Sequence, residues 1–227
     1  MTIDRRTALV AAVGAGALAS MPASAAAQAG PPAFAQQPLP FDPAMVPGLS
    51  AKLLTSHHDN NYVGAVKRLG AIRGEFAKLD MATAPGFAVN GLKREELIAW
   101  NSMVLHEIYF SGLGAPNRPG APLGSAIERD FGSMARWQAE YVAMGKALGG
   151  GSGWVMLTWS PHDRRLVNTW AADHTMTLAG GSPILVLDMY EHAYAMDFGA
   201  KAAAYVDAVV AATNWTAADA RFAKASA

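Results

Sequence analysis

A carboxylate and an imidazole four residues apart, Asp188 and His192, stand where the apolar run from Pro183 to Leu187 ends. Both groups are costly to bury, and the task that suits such a pair at the end of a buried strand is holding a metal ion. The chain carries six histidines, at 57, 58, 106, 162, 174 and 192, and no cysteine. Thiolate zinc sites, iron–sulfur clusters and disulfides are therefore excluded, and any metal must be held by nitrogen and oxygen.

A lone histidine in a helix is usually an ordinary hydrogen-bonded residue, and His162, in the turn Ser160-Pro161-His162-Asp163, reads as solvent-exposed surface. The others form a pattern. His57 falls toward the apolar side of one helical run, His106 falls on the apolar side of a second, and Asp188 and His192 flank a strand end. Three imidazoles and one carboxylate on elements that must share a core suit iron, manganese or zinc, with a coordination position left open.

The elements that must position these groups follow from periodicity. Ser50 can cap a long first helix whose apolar positions Leu54, Ala65, Leu69, Ile72 and Phe76 keep helical spacing, with His57 and His58 inside it. A loop rich in Ala, Pro and Gly, from Ala82 to Gly91, leads to a second helix from Leu92 to Phe110, and the two predict an antiparallel hairpin. Gly112 to Pro122 reads as a linker between domains. Two shorter helices, Ala121 to Phe131 and Met134 to Ala147, precede the glycine-rich stop Gly149 to Gly153. The period then changes to that of strands at Trp154 to Trp159, Arg165 to Trp170 and Pro183 to Leu187, and helical stretches near Ala200 to Ala212 and Ala217 to Ala223 close the chain. The fold class is α+β: an N-terminal helical hairpin domain, residues 30–113, beside a C-terminal α/β domain, residues 114–227, with a small three-stranded antiparallel sheet.

At 227 residues with 52% apolar content the chain can build a real core, and 18 basic against 18 acidic side chains give no electrostatic reason to bind nucleic acid or anionic lipid. Residues 1–29 read as an export signal of the twin-arginine kind: Arg5-Arg6, a weakly apolar run to Ala19, Pro22, and Ala-x-Ala sites such as Ala23-Ser24-Ala25. An apolar stretch of about a dozen residues is short of the roughly 20 that span a bilayer. The expectation is a periplasmic or secreted protein, without a membrane anchor after cleavage, that takes up its metal before export.

The segment Asp188 to Tyr194, together with Gly151 to Trp154, Phe131-Gly132-Ser133 and Leu39-Pro40-Phe41, resembles the iron/manganese superoxide dismutase family across the mature chain. The resemblance implies a helical hairpin packed on an α/β domain, one iron or manganese ion per subunit held by His57, His106, Asp188 and His192, and dismutation of superoxide. It implies a homodimer or homotetramer in which Glu191, between two ligands, bridges to a ligand histidine across the interface. Trp154, Tyr109, Phe110 and Tyr190 become candidates for an aromatic shell.

Three positions depart from the family pattern. The glutamine that usually adjoins the metal's solvent is absent: the second helix has Ser102 there, and the sheet domain has His174, which is expected to take over the orientation of that solvent. In helix one, the places four and eight residues after His57 hold Asn61 and Ala65, where a histidine and a tyrosine are usual. Aligning on Tyr62 instead puts His58 in the intermediate place but leaves Leu54 where the ligand should be, so His57 is kept as ligand, with Tyr62, Asn61 or His58 partly replacing the entrance residues. Tyr190 stands where tryptophan is common. Catalytic roles are accordingly expected of His174, Tyr62 and His58. The alternative is a non-catalytic, metal-binding member of the same fold. A hydrolytic zinc enzyme fits less well, because no acid or base is placed beside an open position.

Overall fold

The computed structural model describes residues 34–227. The proposed signal segment therefore lies outside the described residues. The first helical run begins at α1 (Ala51–Ser56), where the Ser50 hydroxyl accepts a hydrogen bond from Leu53 N at 3.0 Å, as its position predicts. It does not continue as a uniform α-helix. His57–Tyr62 form a π-helical turn, in which Val63 N–H bonds to His58 O, before α2 (Val63–Ala77) resumes. After the buried His57 and His58, burial resumes at Tyr62, five residues on from His57, whereas Asn61 is only half-buried.

The second helix, α3 (Gly86–Ser111), starts earlier than the expected Leu92. Pro85 is the reason: it sits extended at the N-cap, φ −62° and ψ 135°, and its carbonyl accepts from Ala88 N and Val89 N, so the helix is nucleated inside the predicted loop. α2 and α3 pack together as the expected hairpin. The glycine- and proline-rich stretch after α3 is pinned to the C-terminal half, with Gly114 N bonded to Ala212 O and Asn214 N to Gly112 O. Residues on both sides of it contribute to one hydrophobic core.

α4 (Ala121–Phe131) and α5 (Met134–Ala147) have the expected bounds, separated by Gly132 at φ +87° and by the Ser133 cap. The sheet follows: β1 (Trp154–Ser160), β2 (Arg165–Ala171) and β3 (Ser182–Asp188), antiparallel, in the order β2-β1-β3. β1 is buried along its whole length because it is the central strand and is covered by helices. Its register places Trp154 opposite Asp188 on one side and Ala171 on the other. Gly153 makes this start possible: it takes φ +136°, and a Cβ there would overlap the Ala171 carbonyl oxygen. After β3 a single 3-10 turn, Glu191–Ala193, leads to α6 (Ala195–Phe198), α7 (Ala202–Ala211) and α8 (Thr216–Ala225). No described helix is long and apolar enough to cross a membrane.

Candidate metal centre

Four side chains converge where α3 packs on β3. His57 comes from the π-turn, His106 from α3, Asp188 from the last residue of β3 and His192 from the 3-10 turn. One ligand atom from each lies within 4.8 Å of all the others. Asp188 Oδ2 is the hub, 3.0 Å from His57 Nε2 and 3.4 Å from both His106 Nε2 and His192 Nε2. Donor atoms about 2.1 Å from a shared ion, 90–120° apart, would be separated by about 3.0–3.6 Å. The three hub distances fall in that interval.

Hydrogen bonding decides what the cluster can hold. His106 Nδ1 lies 2.6 Å from Ser102 O, and a carbonyl can only accept, so His106 carries its proton on Nδ1. Its Nε2 then presents a lone pair toward the Asp188 carboxylate, and two acceptors facing each other call for a cation between them. Among the described residues, His57 Nδ1, His106 Nε2 and His192 Nε2 are buried with no hydrogen-bond partner. Burial pushes the His106 imidazole down to about 3, with the neighbouring His57 adding to the shift, and His57 is lowered by burial as well. Burial would raise the Asp188 carboxyl, but the imidazoles of His192 and His57 beside it outweigh that and hold the group ionised. Two lowered imidazoles and one ionised carboxylate are the protonation states a metal requires.

The shell around the four is aromatic. His57 contacts Tyr109 and Phe110, with ring centroids 5.2 and 5.0 Å away, and Trp154 meets His106 edge-on at 5.2 Å. Asp188 is also held through its backbone and its second oxygen. Tyr205 Oη donates to Asp188 O at 2.7 Å, Tyr109 Oη lies 3.1 Å from Tyr205 Oη, and Tyr190 N donates to Asp188 Oδ1 at 2.8 Å. Nothing local in the sequence marks Tyr205, which sits in the alanine-rich α7.

The expected catalytic residues are not in the cluster. His174 stacks on Tyr190, with centroids 4.7 Å apart and planes 11° apart, and its ring lies 6.3 Å from that of His106. Its Nδ1 accepts from Trp154 Nε1 at 3.0 Å, and indole can only donate, so neutral His174 has its proton on Nε2 and offers a donor. His58 and Tyr62 hydrogen-bond away from the four ligands. His58 Nε2 meets Gln37 O at 2.8 Å, while Tyr62 Oη accepts from Gln37 N at 2.8 Å and donates to Glu107 Oε1 at 2.9 Å. Both border a cavity of about 270 Å³ that is also lined by Phe110 and Arg221. Phe110 touches His57 as well as His58 and Tyr62, so it separates that cavity's polar groups from the ligand set. Glu107 and Gln37 went unmarked in the sequence, because each acts through a partner more than twenty residues away.

Comparison with known proteins agrees with this geometry. The family model "Iron/manganese superoxide dismutases, C-terminal domain" matches residues 119–221. A "Superoxide dismutase [Fe]" of Cupriavidus metallidurans is 64% identical over 192 residues, covering 85% of this chain and 98% of the relative. The chain belongs to the iron/manganese superoxide dismutase family. Other members are more distant: "Superoxide dismutase [Mn] 1" of Halobacterium salinarum is 30% identical over 83% of this chain and 94% of its own, and "Superoxide dismutase [Mn/Fe]" of Propionibacterium freudenreichii is 30% identical over 82% and 95%. Superoxide dismutases of this family are thus named for iron, for manganese, and for both.

Proposed function

We propose that this protein dismutates superoxide to oxygen and hydrogen peroxide with one iron or manganese ion per subunit, and that iron is its working metal. The observation that carries the reading is the meeting of three imidazoles and one carboxylate at a common point, where His106 Nε2 and His192 Nε2 are buried beside Asp188 without a hydrogen-bond partner. His57, His106, Asp188 and His192 would hold the ion, which would supply the one-electron redox chemistry that dismutation needs. The chain supplies the rest. Neutral imidazoles and a single carboxylate keep the site's charge low, so both oxidation states are accessible. Tyr109, Phe110 and Trp154 limit access to the ligands, and His174 offers an Nε2–H donor at the edge of the site. Iron is favoured by the name of the relative at 64% identity.

Export by the twin-arginine route, to the periplasm or beyond, is part of the same reading. It is supported by the Arg5-Arg6 pattern and the Ala-x-Ala sites that follow it. A homodimer is supported by Glu191, exposed on the 3-10 turn beside the ligand His192, where a second copy could offer it an imidazole to orient. The test is purification of the mature chain from periplasmic extract, followed by metal analysis and sedimentation. One iron per subunit in a dimer fits the proposal; a zinc-loaded monomer in the cytoplasm contradicts it.

A further inference from the structure

His174 is carried by an exposed turn, not by a strand or helix, yet a donor that tunes a redox centre must be held to a fraction of an ångström. The turn has its own local order: Asp173 Oδ1 accepts from Thr175 N at 2.7 Å and from Thr175 Oγ1 at 2.6 Å, and Ser152 Oγ reaches Ala172 O at 3.2 Å. These contacts stay within the C-terminal half. Asn101 differs. Its Nδ2 donates to the backbone carbonyl of His174 at 2.6 Å from α3, five residues before the ligand His106. Among the described residues this is the one hydrogen bond that joins α3 to the turn at residues 172–176.

We propose that Asn101 is a positioning residue for the metal centre: its amide ties the turn bearing His174 to the helix bearing His106, and so sets where the His174 donor points. The inference rests on the reading of this protein as a redox metalloenzyme, and it assigns Asn101 no contact with substrate or metal. The geometry divides the labour around His174. Trp154 fixes which ring nitrogen bears the proton, Tyr190 fixes the ring plane by stacking, and Asn101 fixes the backbone from which the ring hangs. That last role needs a hydrogen-bond donor, because the partner is a carbonyl oxygen. Aspartate has the same shape but places a second acceptor against that oxygen, while glutamine keeps the donor on a longer arm.

The experiment compares the iron-loaded wild type with N101A, N101D and N101Q. It measures iron per subunit, kcat and KM for superoxide, the ferric electron paramagnetic resonance spectrum, and the imidazole ¹⁵N signals of His174 in the metal-free chain. N101A and N101D are expected to keep their iron, to lose about tenfold in kcat at little-changed KM, and to shift the ferric spectrum. Their His174 nitrogens should move from the pattern of a single Nε2–H tautomer toward an average, and N101Q should restore most of each readout. Wild-type values throughout in N101A would overturn the proposal, and so would loss of iron in N101A and N101Q alike, which would make Asn101 a general structural residue. If the dismutase reading itself fails, the wild type will show no rate, while the spectrum and the ¹⁵N signals still report on Asn101.

Discussion

The Tyr109–Tyr205–Asp188 chain yields a prediction whose size follows from counting protons. Tyr205 Oη has one hydrogen, and the Asp188 carbonyl, at 2.7 Å, can only accept it; Tyr109 must therefore donate to Tyr205 across the 3.1 Å gap. Both phenols are buried, so no water takes over a lost bond. Tyr109→Phe deletes the outer donor and leaves the Tyr205–Asp188 bond whole, at a cost of about 1 kcal/mol. Tyr205→Phe removes the central group and strands the Tyr109 hydroxyl together with the Asp188 carbonyl, at a cost of about 2–3 kcal/mol. In the double variant the stranded Tyr109 hydroxyl is gone as well, so the pair should couple by about 1 kcal/mol and cost no more than Tyr205→Phe alone. For a chain of this size each kcal/mol lowers Tm by about 2–4 °C, so Tyr205→Phe should fall by about 4–12 °C. The assay is calorimetric unfolding of all four proteins after chelation, so that metal affinity does not enter. Equal Tm losses for the two single variants, or strictly additive losses in the double, would refute the assigned direction of donation.

Two further outcomes follow from the site. His57→Ala should abolish stoichiometric metal binding, while His58→Ala, whose ring hydrogen-bonds to Gln37 and Asp59, should keep it; elemental analysis of both variants decides, and metal loss in His58→Ala alone would reverse the assignment. His106 in the metal-free fold sits near 3 against an ordinary 6.5, and His57 is lowered too, so below pH 6.5 the unfolded chain binds protons that the folded chain refuses. The stability these groups contribute is present above about pH 6.5 and is lost as pH falls toward about 3. The Tm of the chelated protein should drop steadily over that range, and a flat or rising profile would contradict the burial of neutral imidazoles.

Much of the centre was legible in the sequence because its ligands break a pattern: polar groups at apolar positions of two helices and at the end of an apolar strand. The bounds of α4 and α5 were legible because Gly132, Ser133 and the glycines after Leu148 punctuate them. The π-turn was not, since no residue type announces it; the family pattern counts four residues from His57 to Asn61, while in the folded chain Tyr62, five residues on, is the buried residue. The turn brings Tyr62 onto the buried side, where it meets Glu107 and Gln37. Contacts such as Tyr205 with Asp188 O and Asn101 with His174 O join a side chain to a distant backbone atom, and a backbone atom carries no sequence signal.

The most direct test is the rate of superoxide decay per bound metal, followed by stopped flow on the mature protein reconstituted separately with iron and with manganese. Fast, metal-proportional decay with iron, exceeding that with manganese, is the predicted result. Full occupancy by either metal with decay no faster than the uncatalysed reaction would contradict the account and leave a metal-binding fold without turnover.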